Sequence, residues 1–193
     1  MNRRTFLASS GAAAGVALAG CGGLLGETVT LGPPAEQVEA DDDGVEKALV
    51  YRHEGDRVAV VGLEQRRPQD SPTGRFPFRL SVPHSDETTI ESFRFDIRLP
   101  YPATGAPAEV YLKAPGGGLW PRITFREVAD GWTRVALEDT GELGDGTLTL
   151  ETVVQPYAPA ERLDVRGEVA LSTSASLDRY RVEPDASLSL VTA

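Results

Sequence analysis

"FRFDIRL", residues 93–99, sets Phe93, Phe95, Ile97 and Leu99 at every second position with Arg94, Asp96 and Arg98 between them. Successive side chains of a strand point to opposite faces, so this period of two predicts a strand with one face on an apolar core and the other towards water. Pro100 and Pro102 stop it, since proline offers no N–H to a sheet ladder. The same alternation recurs on both sides. Before it, residues 47–54 and 57–66 flank Gly55-Asp56, which reads as a two-residue hairpin turn pairing Glu54 with Arg57. That register would place Leu49, Tyr51, His53, Val58 and Val60 on one face. After it come "EVYLK" (109–113) and a second hairpin marked by Asp130-Gly131 between "RITFREVA" and "WTRVALE". Leu148, Leu150 and Val154 form a further inward set, and Leu163, Val165, Val169 and Leu171 another, broken by Gly167. A glycine inside such a row predicts a bulge or a close approach of neighbouring backbone. Tyr180, Val182, Leu188 and Leu190 supply the last apolar positions, and no helical period runs longer than two turns.

About eight to ten short strands separated by Gly and Pro turns predict an all-β domain over residues 47–193, built as two packed antiparallel sheets. A closed barrel or a jelly roll is the alternative arrangement. The layout resembles an immunoglobulin-like sandwich, or a related Greek key, in architecture only. The disulfide that marks antibody domains cannot form, because Cys21 is the sole cysteine, and Trp120 and Trp132 both sit beside turns.

The first residues carry an address. "RRTFLASSGAAAGVALAGC" (3–21) has a basic start at Arg3 and Arg4, an apolar stretch from Phe6 to Leu18 and a small-residue exit, the three parts of an export signal. A membrane span needs roughly 20 strongly apolar residues; this stretch is alanine-rich and broken by Gly11 and Gly15. Arg3-Arg4 followed by Phe6-Leu7 resembles the twin-arginine (Tat) signal, which implies export in the folded state. Leu18-Ala19-Gly20-Cys21 resembles the lipobox of lipoproteins, which implies that Cys21 is lipidated and becomes the mature first residue. One acyl chain holds a protein only marginally, so the two-chain lipid of that family would make the anchor durable. The expected division is a signal peptide over 1–20, a lipidated N-terminus and acidic tether over 21–46 with one short strand at 28–31, and a single domain over 47–193. The expected location is the outer face of the cytoplasmic membrane.

All 29 acidic residues lie after the signal, against 17 basic ones, a net charge of −12 for the mature chain. Only Lys47 and Lys113 are lysines. Acid excess with scarce lysine resembles the proteins of halophilic archaea, where a Debye length of about 3 Å at molar salt leaves a dense acidic surface with little self-repulsion. Such a surface lacks the basic stripe that nucleic-acid binding requires.

No reaction centre is legible. A blue-copper site needs two histidines and a thiolate, whereas the mature chain has His53, His84 and a cysteine committed to lipid. Two isolated histidines make no zinc site. His53 reads as a core-edge residue near a hairpin tip and His84 as a solvated loop residue. His84-Ser85-Asp86 has the residue types of a triad, but sequence neighbours point apart. "APGGGLWP" lacks the lysine and helix of a phosphate-binding loop. Asp41-Asp42-Asp43 lacks the spaced ligands of an EF-hand, and "DTGELGDGT" (139–147) offers irregularly spaced acids that could hold a cation. No cofactor is expected. The reading that remains is a surface lipoprotein displaying a binding or interaction module. Its partners would be the membrane, through Cys21, and another envelope protein. The alternatives are an extracellular enzyme with a loop-borne Asp/Glu site, or a structural envelope component. Tyr101 and Trp120, set among prolines and glycines, form the expected binding edge, since rigid loop aromatics anchor partners at modest entropic cost.

Overall fold

The computed structural model describes residues 28–41, 44–71, 73–100, 108–113, 123–141, 145–173 and 178–193. Its strands are β1 (Thr28–Thr30), β2 (Ala35–Asp41), β3 (Gly44–His53), β4 (Asp56–Gln65), β5 (Phe76–Val82), β6 (Thr88–Arg98), β7 (Glu109–Leu112), β8 (Thr124–Val128), β9 (Trp132–Leu137), β10 (Leu148–Gln155), β11 (Arg162–Thr173), β12 (Arg179–Val182) and β13 (Asp185–Ser189). They form two sheets. The first has the order β1-β12-β11-β6-β9-β8, with β13 sharing an edge of β11 with β12. The second runs β2-β3-β4-β5-β10-β7. The pairs are antiparallel except β1 with β12. The protein is therefore the all-β, two-sheet sandwich that the alternation predicts.

The core lies between the sheets. Phe93, Phe95, Ile97 and Leu99 from β6 and its end meet Phe76, Phe78, Leu80 and Val82 from β5, all buried. Each such side chain removed from water contributes about 1.5–3 kcal/mol. Gly167 is a close approach rather than a bulge: a Cβ there would lie 2.4 Å from the Arg94 carbonyl oxygen and 2.7 Å from the Phe95 ring. The register shift between β6 and β11 falls instead at Ala170/Leu171.

Four expectations need correction. The tether does not reach residue 46, because β2 pairs along its length with β3, from Ala35 opposite Val50 to Asp41 opposite Gly44. All seven β2 residues are exposed, so this strand extends the sheet past the core and shows no apolar alternation to read. Edge strands of this kind raise the number of described strands to thirteen, above the eight to ten expected.

The first hairpin turns at Glu54-Gly55, whose φ values are 51° and 98°, with His53 opposite Asp56. Both central residues of a primed turn require positive φ. A register shift at Tyr51/Arg52 then aligns Tyr51 with Ala59 and Leu49 with Val61. Val60 thus faces away from the core, and Ala59, Val61 and Leu63 take the inward places.

Asp96, read as a wet residue, is only 4% exposed on the outer face of the first sheet. Its carboxylate accepts two hydrogen bonds from Arg134 at 2.6 and 2.8 Å and one from Arg166 at 3.4 Å. Beside it the guanidinium groups of Arg98 and Arg166 lie over the buried Trp132 ring, at 4.3 and 4.2 Å from the ring centre. Guanidinium groups are weakly hydrated and stack on aromatic faces, so they cover an indole that the strand turns outwards.

Candidate functional site

On the outer face of the second sheet, β10 lies between β5 and β7, and the register arranges the outward residues in transverse rows. Glu64, Arg79 and Glu151 are aligned across β4, β5 and β10. The next row is apolar: Pro77, Val153 and Tyr111 across β5, β10 and β7. The third aligns Gln155 with Glu109. Pro77 is tolerated because β4 ends at Gln65. Only the carbonyl of Pro77 is needed on that side, where it accepts from the Arg66 N–H at 3.2 Å, so no ladder bond is lost.

Where β4 ends, the described residues 66–71 and 73–75 leave the sheet beside a cleft of about 570 Å³ floored by Pro77 and Val153. Around it stand Arg66, Arg67, Arg75 and Lys113 against the carboxylates of Asp70 and Glu151. Four cations against two anions reverse the sign of a chain with excess acid. Glu151 is shared: Arg79 reaches it at 3.0 Å, Lys113 at 3.3 Å and Arg66 at 3.4 Å. The Arg79 guanidinium and then the Lys113 ammonium hold the Glu151 carboxyl below the usual range, so it stays ionised. Arg79 and Arg66 are also tied to Glu64, at 3.2 and 3.4 Å. Arg67 is exposed, and neither it nor Arg75 pairs with a carboxylate among the described residues; Arg75 donates to the Gln155 side chain.

At the β7 side stand two of the few large exposed aromatics, Tyr111 and Tyr157, 46% and 50% exposed. Both hydroxyls donate to Glu109, and that hydrogen bond raises the Tyr157 phenol above its ordinary value. Arg75 lies close enough to Tyr157 to act against that rise. The result is an apolar strip bordered by guanidinium, amide and phenol groups.

Most residues singled out from the sequence fall elsewhere. Tyr101 and Trp120 lie outside the described residues, as do Arg3, Arg4, Phe6, Leu7, Leu18, Ala19, Gly20 and Cys21. In sequence, the segments bearing Tyr101 and Trp120 flank β7. His53 is half-buried and meets the Tyr180 ring at 5.2 Å, a core-edge position. His84 is not a free loop residue: its Nδ1 lies 3.0 Å from Ser85 O and from Thr88 Oγ1, and its Nε2 lies 3.0 Å from Gly146 O. In the loop at 139–147, Asp139 caps Gly141 N at 2.9 Å and Asp145 accepts from Thr89 at 3.0 Å. Among the described residues no three His, Cys, Asp or Glu side chains gather as a metal site would require. The cleft was missed because its charges come from separate segments. The available signals were the Arg66-Arg67 doublet and one of only two lysines, Lys113, in an acidic chain.

A family model described as a domain of unknown function (DUF8121) matches residues 34–190. The chain belongs to this family. The DUF8121 match starts one residue before β2, so the family's domain includes the edge strand and spans the cleft. No curated protein matches the chain in sequence. Among solved structures, it is similar to the seventh ScaB type I cohesin of Pseudobacteroides cellulosolvens, at 13% identity over 64% of this chain and 86% of that one, with a TM-score of 0.41. An uncharacterised Nocardia farcinica protein with an immunoglobulin-like fold is 17% identical over 70% and 97% of the two chains, at a TM-score of 0.39. The GAE domain of GGA2p from Saccharomyces cerevisiae is 13% identical over 82% and 100%, at 0.37. The sandwich stands on its own strand pairing.

Proposed function

We propose that this DUF8121 protein is a lipoprotein, exported by the Tat route and anchored through Cys21 on the outer face of the cytoplasmic membrane. Its sandwich acts there as a binding module for another envelope component. The anchor rests on the order and spacing of Arg3-Arg4, Phe6-Leu7 and Leu18-Ala19-Gly20-Cys21. The binding surface rests on one observation: four cations gather around the apolar floor of Pro77 and Val153 in a chain whose net charge is −10. A concave site with an apolar lining and a few convergent polar groups is the usual form of a ligand site. Self-repulsion favours spreading like charges apart, so Arg67 and Arg75, without carboxylate partners among the described residues, serve something outside the chain.

Two measurements test this. Mass spectrometry of the mature N-terminus is expected to find lipid on Cys21; an unmodified Cys21 in membrane fractions removes the anchor. Charge reversal at Arg67→Glu with Arg75→Glu in the full chain is expected to abolish cross-linking to envelope material at an unchanged melting temperature. An unaltered cross-linking pattern removes the cleft as the functional surface.

A further inference from the structure

We infer that the cleft takes an acidic saccharide, a short run of sugar rings carrying carboxylate or sulfate groups; this rests on the binding-module reading and names its ligand class. The cleft floor of Pro77 and Val153 continues along the same cross-strand row to Tyr111, beyond the cleft lining, giving an apolar strip with one side chain from each of three adjacent strands. With strands about 4.8 Å apart, the strip is roughly 10 Å across, the width of about two sugar rings. Flat apolar surface of this kind suits the C–H face of a pyranose. Tyr111 and Tyr157, both about half exposed, extend it at the sheet edge.

A sugar also presents hydroxyls, and partners stand at the cleft, in the Asp70 carboxylate, and along the continuing strip, in the Gln155 amide and the two phenols. Its acidic groups are addressed by Arg67 and Arg75, which are not engaged by carboxylates of the described chain. A guanidinium fork matches the two oxygens of a carboxylate or sulfate. A lone inorganic anion would leave the apolar strip without a role. An acidic peptide would need no set of hydroxyl partners.

Salt separates this recognition from general attraction between charges. The chain's excess of acid repels polyanions at long range in dilute buffer. At molar salt the Debye length falls to about 3 Å, which removes that repulsion but leaves contact-range guanidinium pairs and apolar burial in place.

The test titrates the detergent-extracted full chain, in molar salt, with four probes: an oligouronate, a sulfated oligosaccharide, a neutral oligosaccharide of equal length, and oligoglutamate. The expected result is binding of the oligouronate, the sulfated sugar or both. The neutral sugar and oligoglutamate should bind at least about tenfold more weakly. Arg67→Gln with Arg75→Gln should weaken the acidic sugar by at least about tenfold, and Tyr111→Ala should weaken all sugars, each at an unchanged melting temperature. Comparison of the first two probes identifies the oxyanion. The inference is overturned if neither acidic sugar binds, if oligoglutamate binds as tightly, or if the variants leave binding unaltered. Should no sugar bind while envelope cross-links still depend on Arg67 and Arg75, the ligand class is wrong and the binding-module reading stands.

Discussion

Tyr51 is 2% exposed, and its hydroxyl has no hydrogen-bond partner among the described residues. Burial, reinforced by the Glu183 and Asp185 carboxylates, drives its phenol far above the ordinary value, so it stays neutral. A buried hydroxyl without a partner costs about 1–3 kcal/mol. Tyr51→Phe keeps the ring and removes that cost, so its chemical-denaturation midpoint is expected to equal or exceed the wild-type value; a clear loss would show that the hydroxyl is engaged. Gly167 behaves in the opposite way. Its missing Cβ admits the Arg94 carbonyl and the Phe95 ring, and Gly167→Ala must push backbone or a core aromatic aside. Overpacking of this kind costs about 1–3 kcal/mol, and a melting temperature unchanged by the substitution would contradict the close approach. The glycine in an apolar row was legible from sequence. The isolation of the Tyr51 hydroxyl was not, because only the folded core decides what an inward phenol meets.

Within an element, "FRFDIRL" shows how far alternation carries. It assigns faces correctly but cannot say what covers the outer one. Asp96 points outwards and is still buried, because β9 brings Arg134 and β11 brings Arg166 onto it. Burial works to raise the Asp96 carboxyl, and the hydrogen bond and charge of Arg134, with Arg166, more than offset it, holding it below the ordinary value. A carboxyl depressed in the folded state contributes stability that is complete above its unfolded value, about 3.9, and is lost as pH falls through the folded one. Denaturation midpoints across pH are therefore expected to fall more steeply below about pH 4 in the wild type than in Asp96→Asn; parallel profiles would remove Asp96 from the acid response. Arg134→Met leaves a buried carboxylate with one partly exposed partner, and should cost about 3 kcal/mol at neutral pH.

At the scale of the whole molecule, charge governs behaviour. With 29 acidic and 19 basic residues in the full chain, screening should relieve surface repulsion while salt strengthens apolar burial. Melting temperature is expected to rise as salt enters the molar range, and a flat or falling series would reject the halophilic reading of the composition. The sequence alone determined the two-sheet class, the inward rows of β6, β10 and β11 and the hairpin before Trp132, because period-two patterning and positive-φ turn residues act within a few positions of the chain. The proposed export and lipidation rest on Arg3-Arg4, Phe6-Leu7 and Leu18-Ala19-Gly20-Cys21, a reading that depends on local order rather than folding. Tertiary structure alone decided that residues 35–41 join the second sheet, since an edge strand beyond the core has no apolar face to betray it. It also decided the cleft. Arg66 and Arg67, Arg75, Lys113 and the Pro77–Val153 floor come from separate segments. Cross-strand register makes them neighbours, and register is fixed by long-range pairing rather than by any pattern within one segment.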